Sequence, residues 1–209
     1  MNKLITIALI LMTARTVSGQ PFEGKITYRN SFVSKLPNLK NEEMNLLMGN
    51  KQIFYIRGGD YKSVFNGTFE NWQLYSNSEN KLYSKFGHSD TIFWNHAGIN
   101  DDTVFTTKLT KDKIKILGYS CDELILMCKS GVQKYYYNSS LRVNSKLYER
   151  LIYANWYYFL KRSNAVPLKI VLDSYQFSME SVAIEVKPMK IEDRELRLPA
   201  NSIVAKSPY

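Results

Sequence analysis

The chain has 209 residues, 44% of them hydrophobic, and a formal net charge of +9. This length and hydrophobic fraction suit a globular domain with its own core and exclude disorder for most of the chain. The lysines are spread along the sequence as a solvated face would place them, and no basic motif of a nucleic-acid-binding module is present. Nucleic acid is therefore not an expected partner, whereas anionic headgroups or glycans remain an alternative to a plain solvated face.

The first 19 residues have the three parts of a secretory signal peptide. Lys3 is followed by an apolar run at residues 4–12, and small residues occupy positions 17–19. The apolar run is too short to cross a bilayer, which takes roughly 20 residues. We expect cleavage after Gly19 and an exported protein, periplasmic or extracellular, that is soluble and has no transmembrane segment. Residues 20–209 then form a single, mostly β domain.

Alternating apolar and polar residues predict a series of strands. The first begins near Phe22 and directs Ile26, Tyr28 and Phe32 to one side. An amphipathic helix is predicted at residues 39–48. Further strands are expected at residues 52–57, 61–65, 71–75, 81–85, 91–94, 103–115, 121–128, 132–138, 168–172 and 177–186, and a last short strand carries Leu196 and Leu198. Their short spacing indicates a mainly β (α+β) fold with a meandering antiparallel sheet.

A second helix is predicted at residues 147–162. Tyr153, Trp156, Tyr157 and Leu160 recur at i, i+3, i+4 and i+7, and apolar residues fill much of the remaining circumference. A helix that is apolar on nearly all sides must be buried in a core or must line a binding cavity. Residues 124–127 are apolar without alternation, which predicts cover on both faces of their strand. We interpret these four helical residues as ligand-binding residues that roof the sheet; the alternative is an ordinary core without a cavity.

Patterns of catalytic residues or metal ligands are weak in this sequence. His88, Asp90 and His96 form a cluster in a turn-rich segment, but their spacing is not that of a metal site. The carboxylate pairs at residues 42–43, 101–102 and 192–193 lie in polar segments and are interpreted as solvated surface. We therefore expect a non-enzymatic protein without cofactor or metal.

The two cysteines, Cys121 and Cys128, are seven residues apart in one predicted strand. An odd separation directs their side chains to opposite faces, and about 23 Å of extended chain lies between them. The geometry therefore predicts two buried, unpaired thiols.

Several short motifs carry a family resemblance. These are Ile-Leu-Gly-Tyr-Ser-Cys-Asp at residues 116–122, Tyr-Tyr-Tyr at 135–137, Pro-Leu-Lys at 167–169 and Leu-Pro-Ala at 198–200. With them the chain resembles small exported bacterial proteins of unknown function, which in turn resemble the lipoprotein-carrier (LolA-like) superfamily. The resemblance implies a curved antiparallel sheet, or incomplete barrel, with one or two covering helices. It also implies a concave apolar face that holds acyl chains of lipids or lipoproteins.

Two functions of different class follow from these observations. The first is an extracytoplasmic protein that binds a lipid acyl chain or another apolar ligand in a concave β scaffold. The second is a structural or protein-interaction module of the envelope, in which the same scaffold is filled by its own side chains.

Overall fold

The computed structural model describes residues 20–208, so the predicted signal peptide lies outside the described residues. The strands are β1 (Gly24–Ser34), β2 (Lys51–Arg57), β3 (Asp60–Phe65), β4 (Glu70–Ser76), β5 (Lys81–Phe86), β6 (Ile92–His96), β7 (Val104–Ile116), β8 (Tyr119–Cys128), β9 (Gly131–Arg142), β10 (Ala165–Ser174), β11 (Phe177–Pro188) and β12 (Val204–Lys206). The helices are α1 (Asn41–Met48) and α2 (Trp156–Ser163), with 3₁₀ turns at Ser145–Tyr148, Tyr153–Asn155 and Asp193–Leu196. The expectation of a mainly β fold is confirmed.

The strands form one sheet in the order β12-β6-β5-β4-β3-β2-β1-β11-β10-β9-β8-β7. Strands β1 to β6 form one antiparallel meander, and strands β7 to β11 form a second. Pairing of β1 with β11 joins the two meanders along a line that we call the seam. Across the seam, the Tyr28 hydroxyl donates a 2.6 Å hydrogen bond to the Pro167 carbonyl. Residues far apart in sequence therefore hold the two halves together.

The sheet is strongly curved around α2. In the sheet order, β3 and β9 are separated by four strands, which in a flat sheet would place them about 24 Å apart. Yet the Trp156 ring lies 6.1 Å from the Tyr61 ring of β3 and 6.3 Å from the Tyr135 ring of β9, measured between centroids. The concave face thus wraps around the first turn of α2.

The predicted helix at residues 147–162 is wrong as one continuous element. Ala154 and Asn155 adopt left-handed backbone angles, with φ of 51° and 62°, which interrupt any right-handed helix. The chain instead makes two 3₁₀ turns before α2, which ends at Ser163 and is capped by Asn164, again left-handed with φ of 47°. We call residues 145–163 the roof segment. In the described part of the chain, no helix is long and apolar enough to span a bilayer.

The C-terminal segment covers the outer face of the first meander. Ile191 and Leu196 are buried there with Leu74, Tyr83 and Ile92, which form a second core. The Arg57 guanidinium donates to the Ile191 carbonyl at 2.6 Å and pairs with Asp193 at 2.8 Å. The short strand predicted around Leu196 and Leu198 is therefore wrong, because Leu196 ends a 3₁₀ turn that folds its side chain onto this core. The last strand is β12, parallel to β6.

Strand β8 is covered on one face and only partly on the other. Leu124 and Leu126 are buried in the main core, the cluster that also contains Tyr135, Phe159 and Leu160. Met127, by contrast, is 44% exposed. Glu123 is buried on the Met127 side, where its carboxylate accepts a 2.7 Å hydrogen bond from the Tyr136 hydroxyl. The expectation of cover on both faces is therefore confirmed only in part, because the second face buries the Glu123 side chain and leaves Met127 exposed.

Both cysteines are buried as free thiols. Burial raises the pKa of the Cys121 thiol, and it raises that of Cys128 to about 11. At neutral pH both groups are therefore protonated and poorly nucleophilic.

Candidate functional site

A cavity of about 320 Å³ lies on the concave face, beneath the roof segment. This volume is at the lower end of small-molecule sites, which span roughly 300–1,000 Å³. Its wall crosses the seam, because β1 to β4 supply one side and β9 to β11 the other. Aromatic side chains dominate this wall: Tyr28, Phe32, Phe54, Tyr61, Phe65, Phe69, Tyr135, Tyr153, Trp156 and Phe177. The cavity can therefore take an apolar ligand and surround it with rings.

Two of the four predicted ligand-binding residues line this cavity. Trp156 and Tyr153 do so, and Trp156 also packs 6.3 Å from the Phe54 ring. Leu160 does not, because α2 turns it into the main core, where it is fully buried. Tyr157 does not line the cavity either, since its half-buried ring lies beside Lys161, whose Nζ is 5.7 Å from the ring centroid. The predicted spacing placed all four on one helical face, but α2 begins only at Trp156.

Polar groups interrupt the apolar wall at a few positions, namely Asn30, Gln52, Ser63, Glu70, Gln73 and Gln133. Some of them pair within the wall. Gln52 donates to Ser63 at 2.9 Å, and the Tyr135 hydroxyl donates to Gln133 at 3.1 Å. These pairs reduce the cost of burying amides and hydroxyls beside aromatic rings.

Among the described residues that line the cavity, Glu70 is the acidic one. The register of β4 against β5 shifts between Glu70 and Trp72, so Glu70 and Gln73 both line the cavity despite their odd spacing. Burial raises the pKa of Glu70, and a hydrogen bond from Ser84 opposes that shift. The charged form of this carboxyl is therefore disfavoured in the folded protein.

Replacing Glu70 by glutamine should stabilise the protein at neutral pH. As the pH rises above the unfolded pKa of a glutamate, near 4.3, towards the raised folded value, the parent loses stability that the glutamine variant keeps. The gain should vanish below about pH 4, where the carboxyl is protonated in both states. Urea unfolding across this pH range measures the effect, with the exposed Glu149→Gln as control. A Glu70→Gln protein less stable than the parent at pH 7 would contradict the argument.

A polar network centred on Asp102 holds the roof segment against the cavity wall. Oδ2 of Asp102 accepts hydrogen bonds from Asn155 Nδ2 at 2.8 Å and from Gln133 Nε2 at 3.1 Å, and Oδ1 accepts from the Ser130 backbone N–H at 2.8 Å. Asn155 is fully buried and its Oδ1 accepts from Asn100 Nδ2 at 2.8 Å. The interpretation of residues 101–102 as solvated surface is therefore wrong for Asp102, which fixes the left-handed turn before α2.

The histidines do not come together as a metal site. His88 stacks on Phe86, with 6.0 Å between ring centroids, and His96 Nδ1 accepts a hydrogen bond from the Gly98 backbone N–H at 3.1 Å. Within residues 20–208, no group of three or more His, Cys, Asp or Glu side chains is arranged to hold a metal ion.

Comparison with known proteins yields a fold likeness. No protein-family model and no curated protein matches the chain. The fold is similar to that in the structure of PNGF-II in the P21 space group, with a TM-score of 0.50 and 16% sequence identity. The likeness covers 89% of this chain and 32% of that one, so the chain spans about a third of the PNGF-II chain. At this identity the likeness concerns the fold alone.

Proposed function

We propose that this chain is an extracytoplasmic, non-enzymatic binding protein that holds a lipid acyl chain or another apolar ligand in the concave cavity. The observation that carries the proposal is the cavity itself, about 320 Å³ in volume and walled mainly by aromatic rings. The resemblance of residues 116–122 and 135–137 to exported proteins related to the lipoprotein carriers favours the same class of ligand.

The composition of the wall explains why an apolar ligand would bind there. Burial of apolar surface contributes about 25 cal/mol per Å², and rings contact a chain on several sides at small entropic cost because they have few rotatable bonds. Trp156 contributes most directly, since it contacts Phe54, Tyr61 and Tyr135 from above. A ligand below Trp156 would therefore touch both meanders of the sheet.

Native mass spectrometry of the purified protein tests this proposal. We expect a co-purified or added apolar ligand to remain bound, and Trp156→Ala to weaken binding by about tenfold, which corresponds to ~1.4 kcal/mol of lost contact. Because Trp156 is only partly buried, this variant should lose less stability than a variant of a fully buried ring.

Trp72→Ala is the matched control, because Trp72 packs against the second core on the outer face of the sheet. Ligand binding should survive that change. If the parent protein binds no apolar ligand at all, the binding function is contradicted, and an interaction module of the envelope becomes the better account.

A further inference from the structure

We propose that the ligand is uncharged and carries a hydroxyl group that is buried against Asn30. This inference rests on the proposed function, because it assigns chemistry to the ligand of the same cavity. Three observations carry it: an unpartnered acceptor, an unpartnered donor, and the absence of a basic group from the described wall.

The acceptor is Oδ1 of Asn30. Asn30 is 4% exposed and lines the cavity between Tyr28 and Phe32 on β1. Among the described residues, Oδ1 has no hydrogen-bond partner. Its cross-strand neighbour Ser181 is 1% exposed, and the Ser181 hydroxyl likewise lacks a partner in the described chain. Buried polar atoms are normally hydrogen-bonded. These two unpartnered atoms, one on each side of the seam, therefore point to a polar group supplied from outside the chain.

The donor is Nε1 of Trp156, in the roof. It too is buried, and residues 20–208 provide it with no acceptor. A hydroxyl group both donates and accepts hydrogen bonds, so a ligand hydroxyl can donate to Asn30, and ligand oxygens can accept from Trp156. A plain hydrocarbon would leave both atoms unpaired, and an ester could satisfy the donor alone.

The charge of the wall argues against an anionic head group inside the cavity. Over the described residues, the lining includes Glu70 and no Lys, Arg or His. A buried carboxylate on the ligand would therefore lack a counter-ion and would also face Glu70, which makes its desolvation costly. The chemistry favours a neutral alcohol over a free fatty acid.

Isothermal titration calorimetry of the purified protein near neutral pH tests this inference with three probes of equal chain length: 1-decanol, methyl decanoate and sodium decanoate. We expect 1-decanol to bind at least about tenfold more tightly than the other two, the size of one buried hydrogen bond. Asn30→Leu, which keeps the approximate shape of the side chain, should remove the preference for the alcohol over the ester.

A second variant is included in case Asn30→Leu does not fold. Trp156→Phe keeps an aromatic ring and removes Nε1, so it should weaken binding of both oxygen-bearing neutral probes by about tenfold. Circular dichroism checks that both variants are folded. If Asn30→Leu is not folded, the parent's preference for 1-decanol over methyl decanoate tests the acceptor, and an unchanged 1-decanol affinity of Trp156→Phe would overturn the inference at the donor.

The outcomes separate this inference from the function on which it rests. If none of the probes binds, the binding function fails and this inference fails with it. If all three bind equally, the cavity binds apolar chains but the hydroxyl assignment is overturned. Tightest binding of decanoate would overturn it as well. Unchanged alcohol affinity in folded Asn30→Leu would also do so, since a buried water molecule would then be the partner of Asn30.

Discussion

Replacing Phe159 by alanine should lower the free energy of unfolding by about 3–5 kcal/mol. Phe159 is fully buried and stacks on Tyr135 with 4.3 Å between ring centroids, while Tyr137 meets it edge-on at 5.8 Å. Its removal leaves a cavity between α2 and β9 that the curved sheet cannot close, because Trp156 and Tyr135 are held by other contacts. Chemical denaturation followed by circular dichroism measures the loss.

Phe105→Ala provides the matched control for this prediction. Phe105 lies on the edge strand β7 and is 66% exposed, so its truncation should change stability by no more than about 0.5 kcal/mol. Equal losses in the two variants would mean that α2 does not pack into the concave face as described.

Replacing Asp102 by alanine should cost roughly 2–4 kcal/mol, because hydrogen bonds to a charged acceptor contribute about 1.5–3 kcal/mol each and are not fully additive. The change leaves the amide of the fully buried Asn155 without its carboxylate acceptor and removes the acceptor of Gln133. We expect the left-handed turn at Ala154 and Asn155 to loosen, which would move Trp156 relative to the cavity. Thermal unfolding measures the first effect and ligand titration the second.

The neighbouring carboxylate offers a control for the loss of charge. Asp101 is exposed, so Asp101→Ala should stay within about 0.5 kcal/mol of the parent. If the two alanine variants were equally stable, the network around Asp102 would not hold the roof segment.

Alternation along the sequence predicted most of the sheet because each strand has one buried and one solvated face. The predicted strand at residues 52–57 differs from Lys51–Arg57 by one residue. Curvature and strand order could not be predicted in this way, since they depend on long-range pairing such as that of β1 with β11. Alternation also places Asn30 on the same side as Tyr28 and Phe32, so its inward position could have been found from the sequence.

The roof segment shows what apolar periodicity cannot predict. The spacing of Tyr153, Trp156 and Leu160 is helical, yet the backbone reverses hand at Ala154 and Asn155. Asparagine is one of the few non-glycine residues that favour this conformation, so Asn155 and Asn164 were the available signals for the break and the end of α2. The role of Asp102 had no local signal, because its partners are 28 to 53 residues away in sequence.

The position of the cavity on the seam has a consequence for folding. The residues of β1 are synthesised long before those of β11, and the two strands can pair only after the more than 140 residues between them form a closed loop, at an entropic cost. Long-range pairing of this kind slows folding. A ligand that touches both meanders would bind the closed state and not the open one, so by mass action its concentration would set how completely the two halves stay joined. The ligand concentration and the fraction of chains that are folded would then be linked through one binding equilibrium.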